Sequence, residues 1–329
     1  MYNSDDTTNS SNQTQNDSQI DPGQNKIDNF KIYLLVFSAL IVIIIIILLL
    51  FTFNNQKANI EKSNTVSSTK SNSNNISSSI TKSGKYLILS SQALNWVASN
   101  NQSLESLKNY TIFVTVSSKI KLLPQTNKLK LIYTKDYTNE EKLANSIDNL
   151  SHNIKAVLYD NEPWSLTPVT QQENIVSYYQ KASNLAHSHG LILISTPVIN
   201  RHKNSSSYII NTFSQIAKVS NVFDIQSQYD QALESEYSSH VISIAEALSN
   251  ASPNTIILSG LSTNPRAGIP TPLELVNDAK SVSKYVQGYW LNIPLKPSNC
   301  SEIRHSNDGR CKGPQPQIAI EFLIQFNNS

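Results

Sequence analysis

The chain has 329 residues, with 26 Lys+Arg against 24 Asp+Glu, a net charge of +2, 39% hydrophobic residues and 15% charged ones. That balance lacks the strongly basic face that nucleic-acid binding needs, and two cysteines cannot build a zinc ribbon or a disulfide-rich mini-protein. The eight glycines form no phosphate cradle and no Gly-x-Ser-x-Gly elbow.

Residues 1–32, rich in Asn, Ser, Gln, Asp and Thr, cannot bury a core and are expected to be a disordered tail. Residues 33–53, YLLVFSALIVIIIIILLLFTF, run for 21 positions without a charge. As a helix they would be about 31 Å long, the thickness of a bilayer core. The run starts too late and is too long for a signal peptide, so it reads as a single uncleaved transmembrane helix. Lys26 and Lys31 before it, and Lys57, Lys62 and Lys70 after it, do not decide its orientation. Residues 54–83, with the stretch SNSNNISSSI, read as a flexible low-complexity stalk.

From residue 84 the pattern changes to short apolar runs at 86–91, 111–116, 129–134, 156–161, 191–196, 221–226, 255–260 and 289–294. Each is rich in β-branched or aromatic residues, as strands buried on both faces of a parallel sheet are. Helical segments are expected between them at 94–108, 139–150, 171–189, 208–218, 229–249 and 273–286, with a last one at 317–326. The connection 117–128 is too short for a full helix and contains Pro124. Eight strands with helical crossovers predict an α/β fold, a (β/α)8 barrel of the TIM type spanning 84–329. A doubly wound open sheet is the alternative.

Chemistry in such a barrel belongs at the C-terminal ends of the strands. Those ends offer Ser90 and Gln92, Thr115 and Ser117, Lys135 and Asp136, then Asp160 to Trp164. They continue with Thr196, Asp224 and Gln226, Ser259 to Asn264, Trp290 and Asn292. Only the fourth run supplies two carboxylates, and strand alternation puts Asp160 and Glu162 on one side. Two such carboxylates raise each other's proton affinity, so one can remain an acid near neutral pH. Tyr159, Asn161, Asp224 and Gln226 are candidate substrate contacts, and Trp164 and Trp290 are candidate platforms for sugar rings. The competing structural readings are a carboxylate pair that caps the next helix, an Asp224 bonded across the barrel, and a Trp290 that fills it.

The triplet Asn161-Glu162-Pro163 resembles the strand-four acid/base signature of the clan A retaining glycoside hydrolases. That resemblance implies a nucleophilic Glu ending strand seven, where this chain reads TIILSGLSTNP with no acid. Asp160-x-Glu162 also resembles the end of the D-x-x-D-x-D-x-E motif of family 18 chitinase-like hydrolases, with Lys155 and Leu158 standing at the first two Asp positions. This resemblance implies Glu162 as proton donor and Asp160 as its electrostatic partner, with the nucleophile supplied by the substrate's acetamido group.

No strand end carries a His, so a metal site is not expected, nor is any cofactor. His187 and His189, followed by Gly190, read as residues capping a helix C-terminus. Arg201, His202 and Lys203 could meet an anion, although a solvated loop is the simpler reading. Cys300 and Cys311 enclose a short polar loop and read as a disulfide, worth about 3 kcal/mol, which places residues 54–329 in an oxidising, extracellular compartment. Eight Asn-x-Ser/Thr sites beyond the apolar run permit glycosylation without establishing it. The expected partners are therefore a carbohydrate or cell-surface polymer and, through residues 33–53, a lipid bilayer, with no nucleic acid. A glycoside hydrolase of the cell membrane and a non-catalytic surface protein on a degenerate barrel both fit.

Overall fold

The computed structural model describes residues 80–201, 203–231, 233–297, 300 and 308–329. The expected tail, the apolar run and the stalk up to residue 79 lie outside these, as does His202. Among the described residues no helix is long and apolar enough to cross a membrane.

All eight expected runs form strands: β1 Tyr86–Ser90, β2 Thr111–Thr115, β3 Lys130–Tyr137, β4 Ile154–Tyr159, β5 Ile192–Ser195, β6 Val222–Ile225, β7 Ile256–Ser262 and β8 Gly288–Asn292. They pair in sequence order, every pair is parallel, and β8 returns to β1. That closing pair, Tyr86 opposite Gly288 and Ile88 opposite Trp290, removes the open-sheet alternative. Gly288 makes the closure possible, because a Cβ there would fall onto the carbonyl of Tyr86. β3 runs past the expected 129–134 to Tyr137, with a register shift against β4 between Tyr133 and Thr134.

Alternation splits the strand residues into two cores. Ile88, Phe113, Leu158, Ile194, Val222 and Leu258 fill the barrel interior, and Leu87, Val114, Val157, Leu193, Phe223 and Ile257 pack outward under the helices. Burial on both faces is why these strands read as unbroken apolar runs.

The surrounding helices are α1 Ser91–Ala98, α2 Asn101–Leu107, α3 Glu140–Ser146, α4 Val169–Glu173, α5 Ile175–Ser188, α6 Ser206–Ala217, α7 Glu234–Ala251, α8 Pro272–Val282 and α9 Pro316–Asn327. The single helix expected over 94–108 is two, because Asn100 leaves helical geometry and caps α2 by accepting from the N–H groups of Gln102 and Ser103. The connection 117–128 holds only a 3-10 turn, Pro124–Lys128. α8 begins with Thr271 and Glu274 in a reciprocal capping box and Pro272 in its first turn.

α5 ends as the histidines suggested. Gly190 at φ 67° lets the N–H of Leu191 reach Ala186 O (2.9 Å) and its own N–H reach His187 O (3.1 Å). His189 bonds Leu185 O and Asp148, whose carboxylate raises the imidazole pKa, and His187 bonds Asn221.

Candidate active site

β4 stops at Tyr159, and the chain past it is tied down peptide by peptide. The N–H of Asp160 donates to Tyr137 O (2.8 Å), that of Asn161 to the Tyr179 hydroxyl (3.3 Å) and that of Glu162 to Thr167 Oγ1 (3.4 Å). Pro163 cannot donate to a ladder, so pairing ends there. The strand alternation continues through this stretch. Asp160 and Glu162 face the barrel mouth, whereas Tyr159 and Asn161 face the helices.

That corrects the expected role of Tyr159 and Asn161. Both are buried beside α4, where the Tyr159 hydroxyl donates to Gln171 Oε1 (2.8 Å) and Asn161 Nδ2 donates to Gln171 O (3.0 Å). They hold the strand end in place and do not line the cleft. Tyr179 supports the same turn, since its fully buried hydroxyl also donates to Tyr159 O at 2.9 Å.

Asp160, 9% exposed, accepts from Thr196 Oγ1 (2.9 Å) and from Gln226 Nε2 (3.3 Å). The same Gln226 amide donates to Glu162 Oε1 at 3.2 Å, so the residue that follows β6 bridges both carboxyls. Asp160 and Glu162 also act on each other, so the two titrate as a pair. Burial, followed by the charge of Glu162, holds Asp160 well above the usual carboxylate range. Burial also raises Glu162, opposed by the Asp160 hydrogen bond, the positive charge of Arg266 and the Gln226 amide. Both carboxyls are thus pushed toward the protonated form.

Glu162 opens into a cleft of about 570 Å³, whose walls include Trp164, Gln226, Tyr229 and Asn292. Trp164 is 39% exposed and borders this cleft, with its indole N–H fixed on Thr167 Oγ1 (3.0 Å). Trp290 instead packs against the interior cluster and is absent from the cleft wall, as barrel filling would have it.

Asp224 lies inside β6, below this layer, with no exposure and no hydrogen-bond partner for either carboxylate oxygen among the described residues. Burial alone raises its pKa to about 8.

Three loops add cations to the cleft wall. Arg201, after β5, pairs with Asp230 through both Nη atoms (2.9 Å each). His240 lies 3.9 Å from Asp230, and burial together with the Arg201 charge lowers its pKa. Arg310, after β8, pairs with Asp308 through Nε (2.9 Å) and Nη2 (2.6 Å). Arg266, after β7, completes the set. Cys300 and Cys311 are bonded, with Cα atoms 5.5 Å apart, and so tether the loop that carries Arg310.

Arg266, Arg310 and Tyr179 were not singled out from sequence. The arginines had a usable signal, for the chain contains only four among 26 basic residues. Among the described residues no group of three or more His, Cys, Asp or Glu side chains could hold a metal ion.

No family model matches the sequence, and no curated protein is detectably similar to it. Among solved structures the chain is similar to a Schiff-base-forming fructose-1,6-bisphosphate aldolase, with 13% identity and a TM-score of 0.43, over 77% of this chain and 99% of the aldolase. An archaeal fructose-1,6-bisphosphate aldolase gives 13% identity and a TM-score of 0.41, over 77% and 98%. The carboxyl transferase domain of Rhizobium etli pyruvate carboxylase gives 7% and 0.42, over 76% and 50%. These likenesses concern the course of the chain. The fold itself rests on the strand pairing: this is a (β/α)8 barrel.

Proposed function

We propose that the barrel is a glycoside hydrolase acting on a carbohydrate outside the cell, with Glu162 as proton donor and Asp160 as its electrostatic partner. The observation that carries this reading is the Asp160–Glu162 pair at the C-terminal end of β4, bridged by the Gln226 amide, with Glu162 opening into an accessible cleft beside Trp164. The disulfide supports an oxidising compartment, and the apolar run 33–53 supplies the membrane anchor.

In this mechanism a sugar ring rests on Trp164. The proton passes from Asp160 to Glu162, which leaves an Asp160 carboxylate stabilised by the Thr196 hydroxyl and the Gln226 amide. Glu162 then protonates the glycosidic oxygen as the bond to the leaving sugar breaks. No carboxylate ends β7, so the anomeric carbon is attacked either by the substrate's own acetamido oxygen or by water. The test is release of reducing ends from a panel of soluble glycans by the full chain and by Glu162→Gln. Turnover by the parent and its loss in the variant supports the reading. Equal turnover removes Glu162 as the acid.

The β7 end, Ile256–Ser262 without an acid, favours a second reading in which the cleft binds glycan and does not cleave it. Binding by both proteins with turnover by neither would select it.

A further inference from the structure

The basic residues of this chain are unevenly placed. It has 22 lysines and four arginines, yet among the described residues three arginines and no lysine line the cleft. The fourth, Arg304, falls in the segment 301–307, outside the described residues. The three come from different loops, after β5, β7 and β8, so sequence proximity does not explain their convergence. A lysine presents a hydrated point charge, whereas a guanidinium presents a planar fork that matches a carboxylate or sulfate.

Two of the forks are already paired, Arg201 with Asp230 and Arg310 with Asp308, and each pair offsets its own charge. Arg266 differs. It is exposed and has no carboxylate at ion-pair distance among the described residues, and its field reaches both Glu162 and Asp308. A guanidinium with no ion-pair partner among the described residues, on the wall of the cleft that Glu162 opens into, leaves room for an anion from the ligand.

We propose that the cleft selects acidic glycans, with Arg266 gripping a carboxylate or sulfate group on the sugar next to the bond that Glu162 protonates. The inference rests on the hydrolase reading for the position of that bond. It has a consequence for the chemistry: an anion on Arg266 screens the charge that depresses the proton affinity of Glu162. The substrate's own charge thereby favours placing the proton on the acid.

The test is calorimetric binding to the full chain carrying Glu162→Gln, which prevents turnover. The probes are chondroitin hexasaccharides in sulfated, unsulfated and carboxyl-reduced forms, with a neutral N-acetylglucosamine hexasaccharide as control. At least one charged form should bind about tenfold more tightly than its uncharged counterpart, the sulfated and unsulfated arms showing which anion is read. Adding Arg266→Gln should abolish that preference, and Arg266→Lys should restore only part of it. Equal binding of charged and uncharged forms, no binding of any charged form, or an unchanged preference in Arg266→Gln would each overturn the proposal. The two readings fail separately. Glu162-dependent cleavage of neutral glycans that is indifferent to Arg266→Gln retains the hydrolase and removes the anion subsite. Arg266-dependent binding of charged glycans with no cleavage retains the subsite and removes the hydrolase.

Discussion

Replacing Asp224 by Asn should stabilise the protein in a manner that depends on pH. Asp224 is fully buried, both its oxygens lack partners among the described residues, and its pKa stands at about 8 against an ordinary 3.8. The folded state thus keeps a proton that the unfolded chain releases. Because the folded pKa is raised, the favourable contribution is complete below pH 3.8 and is lost as pH rises to about 8. Each unit in that window is worth about 1.4 kcal/mol, so near pH 7 the penalty approaches about 4 kcal/mol. Asn has the same shape and does not titrate. Asp224→Asn should match the parent near pH 4 to within about 1 kcal/mol. At pH 7 it should be about 3–4 kcal/mol more stable. Denaturant unfolding of the full chain at several pH values measures this by tryptophan fluorescence, since Trp96, Trp164 and Trp290 all lie in the barrel. Part of the slope will remain in the variant, because Asp160 and Glu162 are raised and Asp278 stands at about 7. Parallel pH dependences in parent and variant, or a variant less stable at pH 7, would refute the argument.

Tyr179→Phe leaves Tyr159 O and the Asn161 N–H without their hydroxyl partner, which should cost about 1–3 kcal/mol and lower turnover although Tyr179 touches no substrate. Unchanged stability would show that this tie does not hold the strand end. Gly288→Ala drives a methyl group onto the Tyr86 carbonyl at the β8–β1 closure, and a loss of about 3 kcal/mol or more should appear in the unfolding midpoint. A neutral result would mean that the closing pair is slack. Joint replacement of Cys300 and Cys311 by Ser frees the loop that positions Arg310, so glycan affinity should fall more than melting temperature does. A lower melting temperature with unchanged affinity would reduce the disulfide to a staple.

The strands were legible because burial on both faces leaves a simple signal: Ile192–Ser195 and Val222–Ile225 are buried at every position. Helix ends were less so. Asn100 resembles any other polar residue in a helical pattern until its cap bonds are seen. At the site, alternation correctly paired Asp160 with Glu162, and the same rule excludes Tyr159 and Asn161 from the cleft. What sequence order hides is convergence. Gln226 meets both carboxyls from just past β6, and Arg201, Arg266 and Arg310 meet across three loops, which no local pattern encodes. The chain before residue 80 lies outside the described residues, and the proposed anchor is read from the apolar run 33–53.

The central claim, that Glu162 delivers a proton to the leaving sugar, is tested most directly by varying the leaving group. Parent and Glu162→Gln should be compared on a natural oligosaccharide that the parent cleaves and on the matching dinitrophenyl glycoside, whose leaving group needs no protonation. The account predicts that the variant loses about 10²–10⁴-fold in rate on the oligosaccharide. On the dinitrophenyl glycoside its rate for breaking the glycosidic bond should stay within about tenfold of the parent. Equal losses on both substrates, or no loss on either, would contradict it.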